Sequence, residues 1–198
     1  MNLLAIDTTG SPLSLALQFN KKVLILHREF TYPHDETLLP QILRLLNKAA
    51  LKWKDLDALV VASGPGRFTG IRIGMSFASV MAGRLKIPAL AVSRLEALAA
   101  KTPERTVCTV LPGYRDETFY QLFQGGRPQG HPVWAVAKDW QSAKKRLSDQ
   151  GVVFAEDEVK AADLLCCAAK LLQKKRRPRF EPLYLKPASY ERKTSSSQ

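Results

Sequence analysis

A glycine-rich turn between an apolar strand and a long apolar helix is the feature that most constrains the fold. Residues 56–63 predict a strand, residues 64–70 form the turn Gly-Pro-Gly-Arg-Phe-Thr-Gly, and residues 69–85 predict a helix. A second strand is predicted at residues 89–92. A strand, a helix and a strand in this order form a βαβ unit with parallel strands and a right-handed crossover. We therefore expect an α/β domain.

The segments around this unit also alternate between strand and helix patterns. Apolar or alternating runs predict strands at residues 2–7, 13–19, 23–30, 106–111 and 117–123. Apolar residues at helical spacing predict helices at residues 35–50, 95–101, 139–147 and 159–173. Residues 125–128, Gly-Gly-Arg-Pro, are expected as a hairpin turn. Together these patterns predict a mixed sheet with flanking helices.

The helix at residues 69–85 is apolar on nearly every side, since only Arg72 and Arg84 are charged. Small residues recur every four positions, at Gly70, Gly74, Ala78 and Ala82. Such a strip lets another backbone approach closely, and a helix that is apolar all round must be buried all round. It is therefore either a central helix of this chain or a helix that another subunit covers on one face.

The helix at residues 35–50 has an apolar arc of roughly 160°, wider than the ~100° that covers a core. The excess indicates either a thicker core or a partner. Taken together, the two helices predict an association surface for a partner or for a second copy of the chain. The residues assigned to it are Leu38, Leu39, Ile42, Leu43, Leu46, Gly70, Ile71, Ile73, Gly74, Phe77, Ala78, Met81 and Ala82.

The glycine turn matches neither standard phosphate-binding motif. A Walker A loop ends in Gly-Lys-Ser/Thr, whereas Gly70 precedes Ile71, and the glycine spacing is GxGxxxG rather than GxGxxG. A strand-to-helix turn can still bind an anion on free N–H groups, or it can simply be a tight turn. The residues of this possible anion or nucleotide site are Gly64, Gly66, Arg67 and Thr69.

Candidate catalytic residues are sparse. The three histidines form no HxxxH motif for a metal, and Ser63 is not in a GxSxG elbow. Asp7 ends the first strand before two threonines, where it can serve either as a metal-binding carboxylate or as a turn cap. The patterns therefore predict no catalytic residues, no metal and no cofactor.

Charge and cysteine content restrict the function classes. The formal net charge is +12, and residues 170–198 hold nine basic and two acidic residues. Such a tail can contact nucleic-acid phosphates or remain a solvated terminus. No apolar run approaches the ~20 residues that span a bilayer, and the three cysteines form no CxxC pair, so we expect a cytoplasmic, non-membrane protein.

Three runs of residues resemble the bacterial TsaB family, also called YeaZ. They are residues 4–8 (Leu-Ala-Ile-Asp-Thr), 34–40 (His-Asp-Glu-Thr-Leu-Leu-Pro) and 63–74 (Ser-Gly-Pro-Gly-Arg-Phe-Thr-Gly-Ile-Arg-Ile-Gly). The last run is long and specific. The resemblance is strong over residues 1–100 and faint beyond them, and residues 182–186 are similar to the family's closing element.

This resemblance implies an α/β fold of the actin/Hsp70/sugar-kinase (ribonuclease H-like) type, usually with two related lobes. It also implies a non-catalytic scaffold that activates a TsaD-like enzyme in tRNA threonylcarbamoyladenosine modification, with a TsaE-like ATPase as a further partner. Family members pair with their paralogue, or with themselves, through two helices of the N-terminal lobe. The helices that match are the two singled out above for excess apolar surface.

The chain departs from the family pattern in its second half. It is shorter than usual after about residue 125, and residues 111–116 replace a family Asp-Ala-Arg stretch, which casts doubt on a TsaE contact. We expect an N-terminal lobe at residues 1–103, a shortened C-terminal lobe at 104–178 and a basic, flexible tail at 179–198. Two alternative functions remain open, an ATP-dependent phosphotransferase of the same fold and a tRNA-binding module.

Overall fold

The computed structural model describes residues 1–31, 33–173 and 179–186. Its first sheet contains β1 (Leu3–Asp7), β2 (Leu13–Phe19), β3 (Lys22–Arg28), β4 (Ala58–Gly64) and β5 (Ala89–Ser93). The spatial order is β3-β2-β1-β4-β5. The first three strands are antiparallel, whereas β1, β4 and β5 are parallel. This confirms the predicted βαβ unit.

The helices are α1 (His34–Lys48), α2 (Phe68–Leu85), α3 (Arg94–Lys101), α4 (Ala137–Asp149) and α5 (Ala161–Gln173). α1 and α2 cover one face of the first sheet, because the leucines of β1 and β2 pack with Ile42 of α1 and Ile71 of α2 in one cluster. α3 and α5 cover the opposite face. The sheet is therefore buried on both sides, as parallel strands require.

The second sheet has fewer strands than the first. It contains β6 (Thr106–Pro112), β7 (Thr118–Gln124), β8 (Arg127–Ala135) and β9 (Val153–Ala155), in the order β8-β7-β6-β9. Two antiparallel pairings and one parallel pairing repeat the arrangement of β3-β2-β1-β4. Within the described residues it has no counterpart of β5, so the second lobe is a reduced version of the first.

Two strands of this sheet were not expected. β8 is mostly exposed and contains Pro128 and Pro132, so its residues do not alternate between polar and apolar. It forms because β7 pairs with both ends of it in antiparallel fashion, with a register shift between Tyr120 and Leu122. The interpretation of residues 125–128 as a turn is therefore wrong in part, since Arg127 and Pro128 already belong to the strand. β9 has three residues, too few to show a period.

One apolar core joins the two sheets. It contains Leu3 and Val60 of the first sheet, Val107 and Phe119 of the second, and Leu164 of α5. α3 and α5 lie between the sheets and contact both the first sheet and each other, and α3 also contacts β6 and β7. The two lobes thus share a core instead of meeting at a solvated boundary.

The C-terminal strap, residues 179–186, packs back on the N-terminal lobe. The backbone N–H of Leu183 donates to the Ser63 carbonyl at 2.8 Å. Phe180 packs beside the core under α1 and α2, and Leu185 beside the core between the sheets. These residues were expected in a flexible tail, and for them that expectation is wrong. The rest of the expected tail, and most of the basic cluster that precedes it, lies outside the described residues.

The strap ends on the second lobe. Lys186 Nζ lies 2.6 Å from Glu117 Oε1. Burial acts to raise the pKa of the Glu117 carboxyl, but the hydrogen bonds from Lys186 and Trp134 and the charge of Lys186 outweigh it and lower that pKa. The strap therefore connects the glycine turn of the first lobe to a carboxylate of the second.

Candidate functional site

The small residues of α2 face their own chain. The Thr8 hydroxyl, just after β1, donates to the Gly70 carbonyl at 2.6 Å. A Cβ at Gly70 would collide with the Thr8 carbonyl, and one at Gly74 would lie 2.6 Å from Thr8 Oγ1. Ala78 and Ala82 are also buried. The strip is therefore the contact of α2 with strands and loops of this chain, and the expectation that it faces another subunit is corrected.

Burial divides the thirteen residues assigned to the association surface into two groups. Eight are buried inside the chain: Leu38, Ile42, Leu46, Gly70, Ile71, Gly74, Ala78 and Ala82. The other five reach solvent: Leu39, Leu43, Ile73, Phe77 and Met81. Only the second group can contact a partner while the fold stays intact.

Most of the second group lies on one continuous surface. α1 and α2 run side by side in the same direction, because their first turns line one pocket and their last turns line another. Leu39 is 45% exposed, Leu43 is 39% exposed, and Val80, which the sequence analysis missed, is 71% exposed. We define the α1/α2 face as Leu39, Leu43, Ile73, Phe77 and Val80.

Gly83 distinguishes the outer side of α2 from its inner side. A Cβ at Gly83 would meet nothing within 4 Å, unlike one at Gly70 or Gly74. A glycine inside a helix costs about 1 kcal/mol relative to alanine. The described part of the chain provides no contact that explains this cost. The outer side of α2 therefore leaves room for a close approach.

Asp7 is buried, and both of its carboxylate oxygens contact groups of the same chain. Its Oδ1 accepts hydrogen bonds from the Thr9 amide at 2.8 Å and the Thr9 hydroxyl at 2.6 Å. Its Oδ2 lies 3.2 Å from Nε of Arg94, and Nη1 of Arg94 donates to the Pro65 carbonyl at 3.2 Å. Arg94 thus joins the end of β1 to the glycine turn. A buried carboxylate at a strand end requires such a cation, but no motif pointed to Arg94.

The possible anion site lies at the start of α2. Arg67 and Thr69 line a polar pocket of about 200 Å³, together with His34 and Glu29. Arg67 and Thr69 are exposed, and α2 has no side-chain cap. Gly64 and Gly66 lie beneath, pressed against the strap and the loop after β1. The Glu29 carboxylate opposes an anion here, so anion binding stays a prediction.

His34 holds the loop after β1 against the start of α1. Its Nδ1 lies 3.1 Å from the Thr8 carbonyl and its Nε2 lies 3.0 Å from the Ser11 carbonyl. Both ring nitrogens therefore face backbone carbonyl oxygens, which position the imidazole between this loop and α1. Across residues 1–31, 33–173 and 179–186, no group of three His, Cys, Asp or Glu side chains could hold a metal ion.

Two of the three cysteines, Cys108 and Cys167, are partly or fully buried, whereas Cys166 is exposed. Burial raises the pKa of the Cys108 thiol to about 12 and that of the Cys167 thiol to about 11. Both stay protonated at neutral pH, so neither is an activated nucleophile. In the part of the chain that the structure describes, no helix is both long and apolar enough to cross a membrane.

Comparisons with known proteins identify the family. A family model described as TsaD, tRNA N6-adenosine threonylcarbamoyltransferase, matches residues 28–128, which is 101 of the 198 residues. An uncharacterized Mycobacterium tuberculosis protein is 34% identical over 68% of this chain, and the Bacillus subtilis tRNA threonylcarbamoyladenosine biosynthesis protein TsaB is 41% identical over 63%. The chain belongs to the TsaB/YeaZ family.

The extent of these matches differs between relatives. The match covers 56% of the Bacillus protein and 65% of the mycobacterial one, less than two thirds of either. The Escherichia coli TsaB is 27% identical over 94% of this chain and 95% of that protein. The structure of YeaZ from Pseudomonas aeruginosa has a TM-score of 0.74 at 25% identity, covering 93% of this chain and 99% of that one. The expected fold class is thereby confirmed.

Proposed function

We propose that this chain is a non-catalytic subunit of tRNA threonylcarbamoyladenosine biosynthesis that binds and activates a TsaD-like enzyme through the α1/α2 face. The observation that carries the proposal is the exposure of large apolar side chains on that face, with Val80 71% exposed. Contiguous exposed apolar surface on a soluble protein marks interaction sites. The names of the TsaB relatives supply the pathway.

The face suits a partner that is itself helical. Two parallel helices present an apolar ridge, and α2 carries no charge between Arg72 and Arg84. The open position at Gly83 extends this surface and allows another helix to approach. A second pair of helices packed across the ridge would bury Leu39, Leu43 and Val80 in a four-helix contact.

The occupied state of Asp7 supports a non-catalytic role. Arg94 neutralises the carboxylate, and Thr9 takes its other oxygen. An ATP-dependent phosphotransferase that used Asp7 to hold a metal would first have to displace Arg94. This pairing therefore disfavours the phosphotransferase alternative. Calorimetry with ATP and magnesium tests it, because heat of binding to the isolated chain would revive that alternative.

Co-purification with the TsaD-like paralogue from the same cell tests the proposed interface. Because each substitution buries a charge in the contact, Leu39→Glu and Val80→Glu should each weaken the complex by about 10-fold or more. Ile25→Glu is the matched control, since Ile25 is 55% exposed on the edge strand β3 and belongs to neither α1 nor α2. An unchanged complex in both α1/α2 variants would contradict the proposal.

Reconstitution tests activation separately from binding. We expect tRNA modification only when this chain and its paralogue are mixed, and we expect Leu39→Glu to lower it in proportion to the loss of complex. Activity of the isolated chain would show that it is an enzyme and overturn the non-catalytic assignment. The TsaE-like contact and the homodimer stay predictions that size-exclusion chromatography of the mixed proteins can check.

A direct tRNA contact is a second function favoured by charge. The chain carries a net +12, and Lys174, Lys175, Arg176 and Arg177 are consecutive. Replacing these four with glutamine should reduce the slope of log affinity against log salt by about 3 to 4, since each phosphate contact contributes about 0.9. A filter-binding titration at several salt concentrations measures this, and an unchanged slope rejects the contact.

A further inference from the structure

An open apolar groove lies at the far end of the α1/α2 pair. It is a groove of about 550 Å³ between the last turns of the two helices and the short 3-10 helix Trp53–Asp55. We propose that this end groove receives an acidic, amphipathic segment of the pairing partner. The proposal rests on the proposed function, because it specifies the chemistry of the same partner beyond the α1/α2 face.

The floor of the end groove is apolar. Its apolar side chains are Leu43, Leu46, Leu51, Trp53, Met81 and Leu85. Leu43 also belongs to the α1/α2 face, and the Trp53 ring lies 6.3 Å from the ring of Phe77, another member of that face. The groove and the face are thus one continuous surface. A partner helix that covers the face would extend over the groove.

The rim of the end groove is basic. Lys52, Lys54 and Arg84 line it, and no acidic residue does. All three side chains are exposed, and none has an ion-pair partner within residues 1–31, 33–173 and 179–186. The neighbouring Asp55 does not line the groove, and its carboxylate accepts the Lys52 backbone N–H at 2.7 Å instead of forming an ion pair with a rim cation.

Helix dipoles account for only part of this charge. Arg84 lies in the last turn of α2, where a cation complements the negative end of the helix. Lys52 and Lys54 lie outside both α-helices. The side chains of Lys52 and Lys54 thus place two cations beside an apolar groove without an ion pair in the described residues. Carboxylates on an incoming segment would pair with them while its apolar side chains fill the groove.

The occupant is an acidic partner rather than a second copy of this chain. A second copy would bring a net charge of +12 and the same three cations to the contact. Like charges placed across an interface oppose association, whereas complementary charges speed it and give it specificity. The groove therefore favours a partner of opposite charge over self-pairing.

A peptide titration of the full chain tests the chemistry directly. The probe is a labelled helical peptide of about 18 residues with a leucine stripe and glutamates, compared with its counterpart in which lysine replaces every glutamate. Fluorescence anisotropy should show binding of the glutamate peptide and at least about 10-fold weaker binding of the lysine peptide. The affinity of the glutamate peptide should fall as salt rises from about 50 to about 300 mM.

Charge reversal locates the binding. Lys52→Glu/Lys54→Glu should lower the affinity for the glutamate peptide by about 10-fold or more and raise the affinity for the lysine peptide. Lys21→Glu/Lys22→Glu, on the exposed β2–β3 turn, is the matched control and should change neither. Equal binding of both peptides, or equal losses in both double variants, overturns the proposal. Circular dichroism confirms that each variant is folded before titration.

The paralogue separates this proposal from the proposed function. If Leu39→Glu disrupts the complex and Lys52→Glu/Lys54→Glu also slows its association, both are supported. If Leu39→Glu disrupts it and the charge variant does not, the proposed function stands and the acidic occupant is rejected. If the wild-type chain does not bind the paralogue, the proposed function fails, and with it the assignment of the groove to that partner.

Discussion

At the scale of single residues, Thr8 explains the glycine spacing of α2. Its hydroxyl and carbonyl lie where side chains at Gly70 and Gly74 would otherwise project. The four-residue spacing was visible in the sequence, but it could not show which backbone approaches the helix. Position 8 is distant in sequence, and only the pairing of β1 with β4 brings it to α2.

Two glycine substitutions should have opposite effects on stability. Gly70→Ala forces a Cβ into the Thr8 carbonyl, so it should lower the free energy of unfolding by about 1–3 kcal/mol or more. Gly83→Ala meets nothing in the chain and should raise it by about 1 kcal/mol. Urea denaturation of both variants measures the difference. A stable Gly70→Ala protein would contradict the assigned contact.

Removal of Arg94 should be costly because it leaves a buried charge unpaired. The Asp7 side chain is 4% exposed, so Arg94→Ala should destabilise the fold by about 3–5 kcal/mol. Asp7→Asn/Arg94→Met removes both charges and should restore part of this loss. A double-mutant cycle by chemical denaturation gives the coupling, and additive single effects would show that the pair does not interact.

The cysteines should react in order of exposure. Cys166 is exposed, whereas the pKa of the Cys167 thiol is about 11, so its thiolate is scarce at about pH 8 and increases as the pH approaches 11. Alkylation followed by mass spectrometry should therefore modify Cys166 first. Labelling of Cys167 should be slow at about pH 8 and should accelerate with rising pH. Buried Cys108 should react last.

At the scale of elements, the strap and the second sheet mark where sequence reasoning was weakest. The strap lies beside a run of basic residues, which suggested a flexible tail, and its apolar Phe180, Leu183 and Leu185 were too few to show a period. β8 was hidden by its prolines and polar residues. Both are held by contacts with distant segments that local patterns do not contain, whereas α1, α2 and β1 to β5 follow from periodicity and turn chemistry.

Loss of one backbone hydrogen bond should loosen the strap. Leu183→Pro removes the N–H that donates to the Ser63 carbonyl, so it should lower the melting temperature and increase amide exchange at the glycine turn. Glu181→Ala is the control, because its side chain is 65% exposed. Hydrogen exchange with mass spectrometry locates the effect, and identical exchange in both variants would contradict it.

The stabilising effect of the ion pair between Lys186 and Glu117, where the strap meets the second lobe, should depend on pH. The pKa of the Glu117 carboxyl is lower in the folded protein than its unfolded value of 4.5. Its ionised form therefore contributes to the free energy of unfolding above pH 4.5, and this contribution is lost as pH falls through the folded pKa. Glu117→Gln should therefore be less stable than the wild type near neutral pH. This difference in stability should narrow as pH falls below 4.5 and through the lower folded pKa, as measured by thermal unfolding across pH.

At the scale of the whole molecule, the shared core opposes a simple division into lobes. The sequence placed a boundary at residues 103 and 104, and the family resemblance implied two related lobes with the second reduced. The two sheets have that relation, but α3 and α5 lie between them and pack in one core with residues of both. The lobe boundaries stay a prediction, and sequence pattern could not show that α3 and α5 pack in one core with residues of both sheets.

Unfolding should therefore be one cooperative transition. Differential scanning calorimetry should give a calorimetric enthalpy equal to the van't Hoff enthalpy, since the core around α3 and α5 contains residues of both sheets. A truncated chain of residues 1–103 should expose the face that α5 covers and should bind a hydrophobic dye. Two separate transitions would show that the lobes are independent.

The position of α5 also has a consequence for synthesis. On a ribosome, β1, β2 and β4 emerge long before residues 161–173, and α5 covers the same side of those strands. The part of that apolar side that α5 covers therefore stays exposed to water until α5 leaves the exit tunnel. We expect the nascent chain to depend on chaperones that bind exposed apolar surface. A translational pause before residue 161 should prolong the time for which this side of the sheet is exposed.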